Sequence, residues 1–137
     1  MTGDNAMKIG LDIDGTIARN PQFFAELSDR TYAEGGTVVI ITSRLDTGYT
    51  RIFTEGELRG WSIRYERLYM FEPYEDVEHL CPHENLDWYQ KYLWQKVHHA
   101  VSEDLDVFYE DDHAIIDLFR DFVPEIEVID AMEIPPA

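Results

Sequence analysis

The chain has 137 residues, 28 of them acidic and 11 basic, for a net charge of −17. That length fits one domain with a sizeable core. The charge excludes a nucleic-acid polymer or an anionic membrane surface as partner, because no basic surface is left to displace phosphate counterions.

Residues 1–6 are polar and read as a disordered or tag-derived start, with Met7 as an alternative first residue. The folded domain is expected over 7–130, followed by a tail over 131–137. Residues 8–13 predict a strand. Asn20-Pro21 predicts a helix start, with Asn20 as cap and Pro21 in the first turn. Phe23, Phe24, Leu27 and Tyr32 supply the apolar stripe of that helix, and Gly35-Gly36 ends it. The β-branched run Thr37–Thr42 lacks alternation, as in a strand buried on both faces.

A weaker helix is expected over 50–59, closed by Gly60, and a third strand over 67–71. Residues 72–85 read as an irregular loop rich in acids, Pro and His. Asp87–Ser102 predicts a helix, with Trp88, Tyr92, Val97 and Val101 at helical spacing. A short strand over 106–109 leads into Glu110-Asp111-Asp112, then a helix over 113–121 and a strand over 126–129. Strands alternating with helices imply a Rossmann-like α/β domain: about five parallel strands between two helical layers. Such sheets bind ligands beyond the carboxyl ends of their strands.

Asp12-Ile13-Asp14-Gly15-Thr16 falls at such an end. Strand alternation would point Asp12 and Asp14 the same way, Gly15 permits a sharp turn, and Thr16 can bond the loop. Thr42 and Ser43 end the second strand, and Asp111 and Asp112 follow the fourth. Unit charges about 4 Å apart repel by about 4 kcal/mol at an effective dielectric near 20. Asp12, Asp14, Asp111 and Asp112 together therefore call for a hard divalent cation, and carboxylates with few other ligands suit Mg²⁺.

A phosphate ester would complete the shell of such an ion. Asp12 would be the nucleophile on phosphorus, and Asp14 the general acid and then base. Thr42 offers a hydroxyl to the phosphoryl group, and a lysine would neutralise the developing charge. Lys8 opens the first strand, at the wrong end. Lys91 and Lys96 lie five positions apart, about 500° around a helix, so only one faces the rim. Lys96 is preferred, with Lys91 in reserve. Ser43, Arg44, Gly15 and Thr16 complete the substrate-binding set; Arg44 either touches a second phosphate or pairs with an acid.

In this order, Asp12-x-Asp14-Gly15-Thr16, Thr42, Lys96 and Glu110-Asp111-Asp112 resemble the haloacid dehalogenase (HAD) superfamily over residues 8–121. The resemblance implies an Mg²⁺-dependent phosphohydrolase working through an aspartyl-phosphate, with Asp12, Asp14, Thr42 and Lys96 in the roles above. It places Mg²⁺ on Asp12, the backbone carbonyl of Asp14, and Asp111. The last acidic motif reads as Glu110-Asp111 or Asp111-Asp112; Asp111 belongs to both. The second Asp is that of the phosphatase branch. About 25 residues separate the first two motifs, so no full cap domain fits, and 72–85 would serve at most as a small lid. Caplessness in this family implies larger phosphorylated substrates, or a cap lent by another subunit and hence an oligomer. Ile41-Thr42-Ser43-Arg44 is similar to the deoxyribonucleotidase-like branch, which implies a nucleotide monophosphate as substrate.

His79-x-Cys81-x-His83 supplies too few ligands for a structural zinc site and reads as an ordinary loop. Trp88, Tyr89, Tyr92 and Trp94 read as core and helix surface rather than a stacking platform. Asp112 serves equally as a helix cap. A receiver domain would place its phospho-acceptor Asp after a middle strand, and none ends 67–71. A non-catalytic Mg²⁺- or phosphate-binding protein of HAD-like fold is the main alternative, although binding alone does not need Asp14. Cys81 is the single cysteine, so no internal disulfide forms, and this fits the cytoplasm.

Overall fold

Short β-rich runs separated by helices give the architecture. The computed structural model describes residues 6–136. Strands β1 (Lys8–Leu11), β2 (Thr37–Leu45), β3 (Arg67–Phe71), β4 (Val107–Glu110) and β5 (Glu127–Asp130) form one parallel sheet in the order β3-β2-β1-β4-β5. Central β1 places Leu11 beside Ile40 of β2 and Tyr109 of β4.

Helices α1 (Pro21–Ala33) and α2 (Tyr49–Gly60) cover one face, where Phe24 and Leu58 pack with Ile9, Leu11, Val38 and Ile40. Helices α4 (Trp88–Ser102) and α5 (His113–Phe122) cover the other, where Leu93, Val97, Ile115 and Phe119 pack with Val39, Ile41 and Phe108. Both sheet faces are thus buried, which explains the unbroken apolar run of β2. The result is the expected three-layer Rossmann-like α/β fold. Among the described residues no helix is long and apolar enough to cross a membrane.

Several boundaries differ from the sequence reading, each for a local reason. β1 stops at Leu11, not residue 13, because Ile13–Ile17 winds into a wide helical turn broken at Asp14 and Gly15. Asn20 does not cap α1 with its side chain; its Nδ2 donates to the carbonyl of Pro135 at 2.9 Å. β2 runs three residues past Thr42, to Leu45, with a register shift against β3. Gly60 is still helical, and the left-handed position falls on Ser62 (φ 60°).

The stretch 72–85 is not wholly irregular. It holds α3 (Tyr74–Val77) and a 3₁₀ turn over Glu78–Leu80. Gln95 exchanges two hydrogen bonds with the Glu72 backbone, and His83 packs on Trp94 and Phe122, which anchors the segment to α4 and α5 rather than leaving it free as a lid.

The buried stripe of α4 is Leu93, Trp94, Val97 and Ala100, whereas Trp88 and Val101, expected in it, are exposed. Trp88 and Tyr89 lie at the solvated first turn, where Asp87 and Gln90 form a capping box. β4 is shifted one residue late, which puts Glu110 inside it. The expected tail is ordered through residue 136: Ala131–Glu133 forms a 3₁₀ turn, and Arg19 donates to the carbonyls of Ala131 and Ile134. The expectation for residues 1–6 lies, but for Ala6, outside the described residues, as does Ala137 of the tail.

Candidate active site

The carboxyl ends of β1 and β4 are adjacent, so the segments leaving these two strands meet at one rim. Asp12 leaves β1 in extended backbone, and its N–H donates to the Tyr109 carbonyl at 3.1 Å, which fixes it against β4. Its side chain is buried. Lys96 Nζ donates to Asp12 Oδ1 at 2.6 Å, and Thr16 Oγ donates to Asp12 Oδ2 at 3.1 Å.

Lys96 arrives from the middle of α4 and is 1% exposed. It also donates to Glu110 Oε2 at 2.6 Å, so its ammonium bridges two carboxylates. Burial alone would discharge it; the Asp12 and Glu110 charges outweigh that and hold its pKa above the ordinary lysine value. Lys91, four positions before Gln95, takes no part in this cluster.

Glu110 is the member of this cluster that the sequence signals least. Its other oxygen, Oε1, accepts the backbone N–H groups of Asp111 and Asp112 at 3.1 and 3.2 Å. Burial drives its pKa up, against the pull of Lys96. The signal for it was present in the Glu110-Asp111 reading of the motif; what was missed is that β4 extends through it.

Asp12, Glu110 and Asp111 each offer a carboxylate oxygen, all within 4.8 Å of one another, the one such group of metal-ligating side chains among the described residues. Burial, and then the neighbouring Asp12 carboxylate, push Asp111 up to about 6. His79, Cys81 and His83 form no such group. Gly15 lies against Asp111: with φ at +82°, a Cβ there would be strained and would sit 2.1 Å from Asp111 Oδ2, so any other residue displaces the Asp111 side chain.

The other expected residues are placed differently from one another. Asp112 caps α5, its Oδ1 accepting the Ala114 N–H at 2.9 Å, and it stands outside the three-carboxylate group although it borders the cleft. Thr42 is buried, and its hydroxyl accepts the Arg44 N–H at 3.2 Å, whereas Ser43 lines the cleft. Asp14 also lines it, with its side chain 65% exposed.

Arg44 pairs with an acid. Its Nε and Nη2 take both Asp14 oxygens at 2.9 Å each, and its Nη1 reaches Thr54 Oγ1 at 3.0 Å and the Glu57 carboxylate. That fork, foremost by hydrogen bonding, holds the Asp14 carboxyl below the usual carboxylate range. The cleft, about 190 Å³, is bordered by Asp12, Asp14, Ser43, Lys96 and the 110–112 acids.

The donor set fits a divalent cation. Three carboxylates cluster around one lysine that bonds two of them, Asp12 and Glu110, and burial, then the Asp12 carboxylate, raise the third, Asp111. Oxygen-only donors suit Mg²⁺ over softer-ligand metals.

No protein-family model matches the chain, and no curated protein matches it significantly. Solved structures match in fold. A chain of the Pnkp1/Rnl/Hen1 RNA repair complex aligns with a TM-score of 0.60 at 16% identity, over 91% of this chain and 42% of that one. A chain from another structure of a Pnkp1/Rnl/Hen1 complex gives 0.60 at 18% identity, over 91% and 46%. The chain spans less than half the length of these solved chains, and the likeness at such identity is one of fold: an all-parallel, Rossmann-like α/β sheet.

Proposed function

We propose that the protein is an Mg²⁺-dependent phosphomonoesterase of the HAD type, acting through an aspartyl-phosphate on Asp12. The observation that carries this reading is the buried Asp12–Lys96–Glu110 bridge at the sheet's carboxyl rim, beside Asp111. A buried lysine bridging two carboxylates costs desolvation that a hydrophobic core would avoid, which favours a chemical role.

Asp12, Asp111 and Glu110 would hold the metal, whose bound charge would offset that of the substrate phosphate. Each Asp12 oxygen keeps a lone pair beyond those given to Lys96 and Thr16. One of these attacks phosphorus, and the ester oxygen leaves with a proton that Asp14, ionised in the free protein beside Arg44, takes from the phosphate monoanion of the substrate and passes on. Asp14 then takes a proton from the water that attacks the phosphorus, releasing phosphate and restoring Asp12. Lys96 stabilises charge on Asp12 and the phosphoryl oxygens, and Ser43 is the hydroxyl at the cleft wall.

The open cleft suits a phosphate at the end of a larger molecule or on a nucleotide. That the similar solved chains come from an RNA repair complex puts nucleotide phosphates first in a substrate panel. The −17 charge favours a free nucleotide over a polymer.

A non-catalytic Mg²⁺- or phosphate-binding role is favoured by one feature, the Arg44 fork that keeps Asp14 ionised. The deciding experiment measures phosphate release from phosphomonoesters with Mg²⁺ or EDTA, for wild type, Asp12→Asn and Asp14→Asn. Mg²⁺-dependent release, lost in both variants while metal binding survives Asp14→Asn, is expected. Turnover surviving in either variant refutes the mechanism, and no release from any ester refutes the activity.

A further inference from the structure

We propose that Thr54 and Glu57 of α2 are positioning residues that act through Arg44 to hold Asp14 at the rim of the cleft. The consequence for turnover rests on the phosphomonoesterase reading. The geometry itself does not.

Asp14 needs an external hold. It lies beyond the end of β1 on a turn whose next residue, Gly15, has a positive φ, and its side chain is 65% exposed. An exposed carboxylate on such a turn samples several rotamers. Among the described residues Arg44 is the side chain that hydrogen-bonds it, through both oxygens.

Arg44 reaches it because β2 continues past Thr42 to Leu45. A planar guanidinium has two usable edges. One edge, Nε and Nη2, faces Asp14; Nη1 on the far side is taken by Thr54 Oγ1 and the Glu57 carboxylate. Thr54 is fully buried, and Thr54 and Glu57 stand three apart, on one face of α2. The plane of the fork is therefore set by α2, and the fork sets Asp14. Glu57 also balances Arg44, so that Asp14 need not supply all of its countercharge.

The role predicted is specific to proton transfer. Removing Glu57 and Thr54 frees the guanidinium to rotate, and a proton donor misplaced by about 1 Å loses about 100-fold in rate. Glu57→Ala/Thr54→Val is expected to lower kcat on an alkyl phosphate such as glycerol phosphate by about 10- to 100-fold, with KM unchanged. On p-nitrophenyl phosphate, whose leaving group needs no proton, the first step, read as the pre-steady-state burst of nitrophenolate, keeps its wild-type rate, and only the later hydrolysis, which also uses Asp14, slows. Thr54→Ser and Glu57→Gln, which keep an oxygen acceptor, retain most of the activity on both.

Equal slowing of the phosphorylation step on the two substrates, or slowing on neither, overturns the proposal. A second readout does not depend on turnover: the Arg44 Nε–H resonance should be slowly exchanging in wild type and in Thr54→Ser, and fast in Glu57→Ala. An unchanged resonance in Glu57→Ala overturns the positioning role. If wild type hydrolyses neither ester, the phosphomonoesterase reading fails alone, and this resonance still decides whether α2 holds Asp14 through Arg44.

Discussion

Lys96 Nζ lies 2.6 Å from Asp12 Oδ1 although the two residues are 84 positions apart and almost entirely buried. Glu110 completes the bridge on the other side of the ammonium. With all three groups ionised the charges sum to −1, and removing the cation would leave two carboxyl groups side by side without solvent. Lys96→Met is therefore expected to destabilise the metal-free protein by about 3–5 kcal/mol, the usual penalty for breaking a buried ion pair. Adding Glu110→Gln should recover part of that, because one fewer charge is stranded. Urea denaturation at pH 7 checks both; a single-variant loss below about 1 kcal/mol would mean the bridge is not what holds this rim.

Gly15→Ala tests the closeness of the turn to the acidic group. The backbone alone disfavours alanine at φ +82° by about 1–2 kcal/mol. The added Cβ would also meet Asp111 Oδ2 at 2.1 Å and displace it. The expected result is a folded, modestly destabilised protein whose Mg²⁺ affinity, read by calorimetry, falls sharply. Wild-type affinity would show that Asp111 is not part of the metal set.

Much of the rim was legible in the sequence, because Asp12, Asp14 and Asp111 come after strands whose apolar runs are plain and whose parallel order puts their ends together. Lys96 was legible by scarcity, only three lysines being present and one helix face available. What escaped depends on where strands stop. β4 carries one residue beyond its apolar run, and this buries Glu110; a charged residue at a strand end gives no such signal. Likewise β2 continues through Ser43 and Arg44, which carries Arg44 to Asp14 across thirty positions of sequence. The stripe expected on α4 failed at its ends, where Trp88 and Val101 sit beyond the reach of the sheet and only tertiary packing selects Leu93, Trp94 and Ala100.

Asp111 makes one contribution to the pH dependence of stability without metal. Its folded pKa, about 6, is above the ordinary 3.8. The folded state therefore binds more protons between these values, and the stability it contributes is full below about pH 3.8 and lost as pH rises through 6. Asp111→Asn removes that slope. In EDTA, wild type minus variant stability should fall between pH 4 and 7, as followed by thermal melting. Parallel curves would mean that burial and the Asp12 carboxylate do not raise Asp111. Saturating Mg²⁺ should flatten the difference, since the ion takes the place of the proton.

At the amino ends of the strands, opposite the rim, the sign reverses. Glu103, at the end of α4, is 6% exposed and accepts both Arg67 Nε and Nη2, at 2.5 and 2.8 Å, together with the Tyr69 hydroxyl. Arg67, above all by hydrogen bonding, holds its pKa down to about 2, against 4.5 unperturbed. Its contribution is present above about pH 4.5 and lost as pH falls toward 2. His99, stacked on Tyr69 and pushed down to about 4 by burial, adds a loss in the same direction between 6.5 and 4. Glu103→Gln should therefore melt lower than wild type at pH 7 and approach it at pH 2.5, whereas His99→Gln should converge on wild type already near pH 4. Because Glu103 joins β3 to α4, the same variant should leave Mg²⁺ affinity intact if the two ends of the sheet are independent. A fall in that affinity would instead mean that the clamp on α4 sets where Lys96 sits.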